Sequence, residues 1–521
     1  MTLTLLHFVL FYVATKRLLT YLHILQQDDY APLRFLNWLW VKKSIDRYMT
    51  ITLSIGTFTI WLFGSGVFIS NIISTLCLLI VLFISYRERV PTKSGKKLLV
   101  MTSRATRIYC VCLLLSLPSI LQTQTLLEAI LMIHCIPFIL IIGCYLLQPI
   151  ESMIYRYFII KAQRTLQSHN PVVIGITGSY GKTSLKKILG HILSKYEPTL
   201  MTPGSVNTPM GICKVIKDDL KPSHKYFIVE MGAYYKQSIA KLCDLTRPVM
   251  GIVSSIGPCH LERFGSIDNI AIGKSELIQS VATHPHAKGF TFPKALNQYP
   301  IFHKMSQSKL MIEPLTAQHK EQTINGLSMS IEHQGEAIDL SAPIFGLHQI
   351  DNILLATTIA LQLGVPMQLI KSALKSLPQI PSRLEVQEDH RHVTWINDAY
   401  NANPEGFKQG ITLLNEFGVQ KSGRKILVTP GIVELGQAHD PIHESLAKEA
   451  MRYVDVIIAV SHQRIKAFVR TCHQLKQGNQ QIITTLTFKD AKKWLDENVQ
   501  PKDTILISND LPDLLESRPA I

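Results

Sequence analysis

Val172-Val173-Ile174-Gly175-Ile176-Thr177-Gly178-Ser179-Tyr180-Gly181-Lys182-Thr183-Ser184 decides the fold. An apolar run leads into a glycine-rich turn. From Leu185 to Leu193 the apolar residues then recur at helical spacing. A strand, a turn and a helix start in that order aim successive backbone N–H groups at one point, where a phosphate chain can rest on the helix N-terminus. Lys182 supplies positive charge for the outer phosphates and Thr183 a hydroxyl for Mg²⁺. The spacing is G-x-x-G-K-T, a shorter variant of the G-x-x-x-x-G-K-[ST] pattern, with Ile at position 176.

Downstream of this turn, short apolar runs alternate with helical stretches, the mark of a parallel α/β sheet. Strands are predicted at 172–176, 226–230, 249–254, 393–397, 425–429, 455–460 and 504–508. Pro378 and Pro381, within Ser372–Ser382, mark a domain boundary. Upstream the chain is different. Charged residues are only 17% of the 521, and the mean hydropathy of +0.17 is raised by the first 150 residues. Apolar segments lie at 2–15, 50–64, 66–86, 108–123 and 126–148; 66–86 and 126–148 approach the ~20 residues that cross a bilayer.

Basic residues sort these connectors. Lys16, Arg17, Arg34, Lys42, Lys43 and Arg47 lie between the first and second segments. Arg87, Arg89, Lys93, Lys96, Lys97, Arg104 and Arg107 lie between the third and fourth, and Arg156, Lys161 and Arg164 follow the fifth. Gly64-Ser65-Gly66 and 122–125 carry no Lys or Arg. Five spans would place every basic loop in the cytoplasm, with the N-terminus outside. The net charge of +15 thus points to an anionic membrane surface rather than nucleic acid, since no compact basic and aromatic face is visible. The start lacks the basic n-region and cleavage site of a signal peptide. Of the nine cysteines, no pair has metal-ligand spacing except Cys110-x-Cys112, which sits inside an apolar run, and the set suits reduced thiols in a cytosol. His134 and Glu128, in or beside the last span, are polar residues at membrane depth and hence possible functional groups.

The expected organisation is a transmembrane helical region of about five spans over 1–150 and a linker helix over 151–170. A central ATP-binding parallel-sheet domain would follow over 171–380, and a Rossmann-like α/β domain over 381–521. In such a sheet, ligands collect at the carboxyl ends of strands. Tyr226-Phe227-Ile228-Val229-Glu230 ends on an acid that can hold Mg²⁺ beside Thr183. His260 follows the next strand.

These residues carry a resemblance. The soluble part, about 171–510, resembles the Mur ligases, the ATP-dependent amide ligases of peptidoglycan synthesis, and within them the subfamily that adds D-alanyl-D-alanine to a muramoyl tripeptide. The similarity lies in the turn from Gly175 to Ser184, Val229-Glu230-Met231-Gly232, His260-Leu261-Glu262 and Ala271-Ile272-Gly273-Lys274-Ser275-Glu276. It continues through Gly346-Leu347-His348 with Asn352, Arg383, Asn397-Asp398-Ala399-Tyr400-Asn401-Ala402-Asn403-Pro404, and Glu434-Leu435-Gly436 with His443.

The resemblance implies ATP and two Mg²⁺ ions, one on Thr183 and Glu230, the other on His260 and a carbamylated Lys274. It implies phosphate binding by Gly178, Ser179, Gly181, Lys182, Thr183 and Ser184. Adenine-side contacts would come from His348 and Asn352, and Arg383 would approach the γ-phosphate. Asp398 would meet the ribose, with Tyr400 and Asn403 beside it. Lys182, Lys274, His260 and Arg383 are the implied catalytic set. Read without the resemblance, Lys274 would be an exposed helix lysine and Asn403-Pro404 a turn.

The sequence departs from the family in four places. A membrane region stands where the family has its UDP-sugar-binding domain, so the muramyl-peptide-like carboxylate substrate could be UDP-linked or lipid-linked. Ser382 precedes Arg383 in place of Gly, Thr429-Pro430-Gly431 replaces a Leu-Gly-Asp-like stretch, and Ser508-Asn509-Asp510 stands where Lys-Gly-Ser is typical. The last two leave the amine, an amino acid or a dipeptide, less defined than ATP. Asn207-Thr208-Pro209 resembles the family's substrate loop only loosely. The expected protein is a multi-pass cell-membrane ligase with cytoplasmic catalytic domains, bound to the lipid bilayer and not to nucleic acid. A ligase of another polymer, such as a poly-γ-glutamate-like chain, a non-catalytic cell-wall scaffold and a transport ATPase are the alternatives.

Overall fold

The computed structural model describes residues 2–27, 30–42, 47–63, 66–88, 98–257, 261–284, 288–291, 298–302, 311–399, 403–433 and 435–509. It divides into two compact units, one running to Tyr155 and the other from Arg156 to Asp510.

The first unit is helical: α1 (Thr2–Gln27), α2 (Pro32–Lys42), α3 (Arg47–Phe63), α4 (Val67–Arg87), α5 (Ser103–Gln122) and the start of α6 (Leu126–His169). Val9, Leu10, Val13, Leu18 and Leu22 of α1 are buried in its core. Large apolar side chains also face outward, among them Phe58, Trp61, Phe68, Ile72 and Phe83, an amount of exposed apolar surface that water disfavours. Among the described residues four helices are long and apolar enough to cross a membrane, namely Leu3–Gln27, Val67–Arg87, Ser103–Gln122 and Leu126–His169; Tyr48–Phe63 is apolar but shorter.

Two sequence expectations change here. Lys16 and Arg17 do not lie in a connector but inside α1. Arg17 is only 2% exposed and pairs with Glu88 at 2.8 Å, while Lys16 Nζ donates to the Glu88 carbonyl at 3.1 Å. A buried guanidinium is tolerated because a carboxylate meets it. The last span and the linker are also not separate elements, since α6 is continuous through Pro137 and Pro149. Glu128 has a structural task, accepting the N–H groups of Gln124 and Thr125 at the start of α6. His134 Nδ1 bonds the Ile130 carbonyl, and its Nε2 meets Thr50 Oγ1 at 3.4 Å.

Among its described residues the second unit holds three sheets. The first is parallel, in the order β2 (Thr199–Met201), β3 (Tyr226–Glu230), β1 (Val172–Thr177), β4 (Met250–Val253), β5 (Lys288–Thr291) and β6 (Met311–Ile312). Ile174, Ile176 and Ile228 are buried against the helix Lys182–Ser194. The opposite face carries Val173, Phe227 and Val229 against the helices Pro209–Asp218, Ser238–Thr246 and Ile267–Val281. Burial on both faces is why these strands read as unbroken apolar runs.

A three-stranded antiparallel sheet follows: β7 (Ala317–Thr323), β8 (Gly326–His333) and β9 (Glu336–Ala342). The last sheet has the order β10 (Glu385–Glu388), β11 (Thr394–Asp398), β15 (Thr504–Ser508), β12 (Lys425–Thr429), β13 (Val456–Val460) and β14 (Gln481–Thr485). It is parallel except at β10, which pairs antiparallel with β11. Every predicted strand is present. The antiparallel sheet and the strands β2, β5, β6, β10 and β14 at the margins of the other two sheets were not anticipated.

Candidate active site

The glycine turn lies between β1 and the helix Lys182–Ser194. Gly178 (φ 150°) and Gly181 (φ 81°) take backbone conformations that side chains disfavour. A Cβ on Gly178 would collide with Ser254 Oγ, and one on Gly181 would come within 2.9 Å of Asn352 Oδ1. The end of β4 pins the turn. Ser179 N–H donates to the Ser255 carbonyl (2.8 Å), Tyr180 N–H to Ser255 Oγ (2.9 Å), and Ser254 Oγ to the Tyr180 carbonyl (2.6 Å). Lys182 folds back over the turn and donates to the carbonyls of Gly178 (2.7 Å) and Ser179 (3.3 Å).

Beside it, Thr183 Oγ1 donates to Glu230 Oε2 at 2.9 Å. Glu230 ends β3 and is 1% exposed. The same oxygen accepts from Lys186 Nζ at 2.9 Å, and Oε1 accepts from Asn207 Nδ2 at 3.3 Å. A hydroxyl and a carboxylate converging at the mouth of a phosphate-binding turn are hard oxygen donors that fit Mg²⁺. Among the described residues no three His, Cys, Asp or Glu cluster as a self-sufficient metal site. Phosphate oxygens and water would have to complete the coordination, as they usually do for this ion.

A cavity of about 500 Å³ adjoins the turn, lined by Tyr180, Gly181, Ser255, His348, Asn352 and Asn403 among others. His348 and Asn352 come from the helix His348–Gln362. Asn352 Nδ2 donates to Gln349 Oε1 (2.9 Å) and Gln349 Nε2 to Ser184 Oγ (3.3 Å), which ties this helix to the one that starts at Lys182. Burial pushes the His348 imidazole below its usual pKa, and the charge of Arg383 acts in the same direction; Glu405 and Asp351 oppose them. Asn403 caps the helix Pro404–Lys421 by accepting from the Gly406 N–H at 2.9 Å.

Arg383 lies between Ser382 (φ 56°) and Leu384 (φ 51°), two left-handed residues without a glycine's freedom. Burial raises the Asp398 carboxyl to about 7 against the opposing effects of the Arg383 charge and the Leu384 N–H.

Lys274 is not an exposed helix lysine: it is 1% exposed on the helix Ile267–Val281. A buried ammonium needs pairing or neutralisation. His260 and Tyr400 lie outside the described residues, as does Glu434. His443 is fully buried. Its Nδ1 donates to the His439 carbonyl (2.7 Å) and its Nε2 accepts the Ile432 N–H (3.1 Å).

The structure thus gathers Gly178–Ser184, Glu230, His348, Asn352 and Asn403 around one turn and one cavity. It adds Lys186, Ser254, Ser255 and Gln349, which motif reading passed over, and it bonds Asn207, read in the sequence only as part of a loosely matching loop, to Glu230. Lys186 had a signal. It falls seven residues before Leu193 and three before Leu189, inside the buried stripe of its helix.

Two adjoining domain families match the chain, the Mur ligase middle domain over 176–360 and the Mur ligase, glutamate ligase domain over 382–509. Together they take in more than half of it, and the chain belongs to the Mur ligase family. Among its relatives is the UDP-N-acetylmuramoyl-tripeptide–D-alanyl-D-alanine ligase of Buchnera aphidicola, 31% identical over 51% of this chain and 58% of that protein. The Escherichia coli enzyme of the same name is 28% identical over 56% of this chain and 65% of its own length. The chain therefore spans less than two thirds of these relatives.

The fold matches MurF of Acinetobacter baumannii (TM-score 0.57, 24% identity, 68% of this chain and 76% of that one). It also matches MurF ligase of Thermotoga maritima in complex with ADP (TM-score 0.58, 23% identity, 70% and 81%).

Proposed function

We propose that this protein is a membrane-anchored ATP-dependent ligase that joins D-alanyl-D-alanine to a muramyl peptide in peptidoglycan precursor synthesis. The observation that carries the reading is the 2.9 Å approach of Thr183 Oγ1 to Glu230 Oε2 at the mouth of the glycine turn, with a nucleotide-sized cavity alongside. Relatives named for that reaction supply the substrate class.

The chemistry follows from the poor electrophilicity of a carboxylate. A carboxylate oxygen of the acceptor attacks the γ-phosphorus of ATP, the bond to the β-phosphate oxygen breaks, and ADP leaves. The amine of the second substrate then attacks the acyl carbon of the acyl phosphate. Inorganic phosphate leaves, the amine gives up a proton, and an amide remains. Negative charge spreads over the transferring phosphoryl group, so fixed cations matter most there. Lys182 exchanges its contacts with the turn carbonyls for phosphate oxygens, and Arg383 meets the γ-phosphate from the other side.

Thr183 and Glu230 would hold one Mg²⁺, and His260 with a carbamylated Lys274 a second; the ions supply charge neutralisation on the phosphates. Carbamylation would turn the buried Lys274 ammonium into an anionic oxygen donor. His348 and Asn352 face the base, and Asp398 meets the ribose hydroxyls, with Tyr400 and Asn403 at the nucleotide side.

The helices up to about residue 150 anchor the protein as a multi-pass membrane protein, with domains 171–380 and 381–521 in the cytoplasm. Four helices of spanning length and the outward-facing Phe58, Trp61, Phe68 and Phe83 support this. Catalytic domains joined directly to membrane helices favour a lipid-linked acceptor. The test is ADP release by the detergent-purified full chain with ATP, D-alanyl-D-alanine and either a UDP-linked or a polyprenyl-linked muramyl tripeptide. Amine-dependent release, faster with the lipid-linked acid, is expected. Equal rates would remove the lipid-linked acceptor, and no release with either acid would remove the ligase reading in favour of a scaffold.

A further inference from the structure

Glu230 is held by more than a metal ligand requires. Lys186, one helical turn beyond Lys182, is 1% exposed, and its ammonium spans Glu230 Oε2 (2.9 Å) and the Gly204 carbonyl (2.6 Å). Asn207 reaches the other carboxylate oxygen, and its carbonyl accepts the Gly232 N–H at 3.0 Å. Thr202 Oγ1 accepts the N–H of Glu230 itself at 3.1 Å. The segment 202–208 is thus fastened at its start, middle and end to the tip of β3. Pro203, Gly204 and Ser205 of the same segment are exposed. A surface loop is therefore anchored on the carboxylate that faces the glycine turn.

We propose that Lys186 is a positioning residue that transmits the filling of the nucleotide site to the loop 202–208; this rests on the reading that Glu230 meets a magnesium nucleotide. A carboxylate offers about four lone-pair positions, and three are taken by Thr183, Lys186 and Asn207. For Thr183 and Glu230 to turn toward one cation, the bond between them must open and the carboxylate must re-aim. Lys186 cannot leave that carboxylate cheaply, because its ammonium has no water to fall back on. It follows, and the Gly204 carbonyl bound to it follows in turn. The exposed loop beside the tip of β3 is then set for the incoming acid only once the nucleotide is in place. By linkage, an acid that orders the loop tightens nucleotide binding by the same factor.

Hydrogen exchange of the Gly204–Thr208 amides in the detergent-solubilised full chain, with and without Mg-ADP, tests this. Wild type should show a change on the order of tenfold in exchange rate on binding. Lys186→Met should bind Mg-ADP and leave those rates within about twofold, and Lys186→Arg should recover much of the response. An unchanged loop in nucleotide-bound wild type overturns the proposal whatever the variants do, as does a wild-type response in Lys186→Met. Failure of wild type to bind Mg-ADP at all would instead remove the nucleotide reading on which it stands.

Discussion

The buried imidazole of His443 makes the C-terminal domain acid-labile, and the size of the effect can be worked out. Its Nδ1 donates to the His439 carbonyl at 2.7 Å, so Nε2, which accepts the Ile432 N–H at 3.1 Å, must carry no proton. Protonation would break the second bond and bury a charge. Burial lowers the pKa to about 4; the charges of His439 and Arg464 act in the same direction, and the His439 carbonyl and Asp440 oppose it.

The unfolded chain, with an ordinary histidine near 6.5, binds a proton that the folded domain refuses between about pH 6.5 and 4. The stabilisation is therefore complete above the unfolded pKa and is lost as pH falls toward the folded one. At about 1.4 kcal/mol for each tenfold displacement, the loss is on the order of 3 kcal/mol. Urea unfolding followed by the fluorescence of Trp395 and Trp494, with Trp38, Trp40 and Trp61 changed to Phe, measures it at pH 7 and pH 4.5. His443→Gln, which does not titrate, should lose markedly less stability across that interval than the parent. Equal losses in the two proteins would refute the reasoning.

Lys182→Ala should abolish ADP formation and leave membrane insertion unchanged; comparable ADP formation by variant and wild type would count against the phosphate site. Glu230→Gln and Lys186→Met each strand a buried partner and should each cost about 3–5 kcal/mol. The double variant should cost less than the sum by about 0.5–3 kcal/mol, read from urea-dependent amide exchange of β1 and β3; strict additivity would show the pair is not coupled. Asn352→Leu removes the amide next to Gly181 and should weaken Mg-ADP binding up to about tenfold by calorimetry, the worth of one good hydrogen bond. Unchanged affinity would place the nucleotide elsewhere.

What could be read from the sequence follows physical lines. β1, β3, β4, β12, β13 and β15 are buried on both faces and announce themselves as apolar runs. β7 does not, because Gln318, His319, Lys320 and Glu321 are exposed. Its partner β8 carries a period of two in Leu327, Met329 and Ile331, which are buried, and that alternation was legible but short. Lys16 and Arg17 resemble a loop after a span because charge usually ends one, and it is contacts far along the chain, among them those with Glu88, that explain their place in α1.

At the site, Gly178, Gly181, Lys182, Thr183 and Glu230 were legible because four belong to the glycine-rich turn between a strand and a helix and the fifth is the acid that ends the next apolar strand. Lys186, Ser254 and Gln349 were not, since their roles come from contacts made across the fold rather than from a local pattern. Lys274 shows the limit of local reading most directly: the residues around it suggest a surface position, and the packing of its helix buries it.

The measurement closest to the central claim is a structure of the full chain with Mg²⁺ and a non-hydrolysable ATP analogue. The triphosphate should lie over Gly178–Ser184, the adenine in the cavity beside His348 and Asn352, and a metal between Thr183 and Glu230. A triphosphate bound away from the glycine turn, with Thr183 still bonded to Glu230, would contradict it.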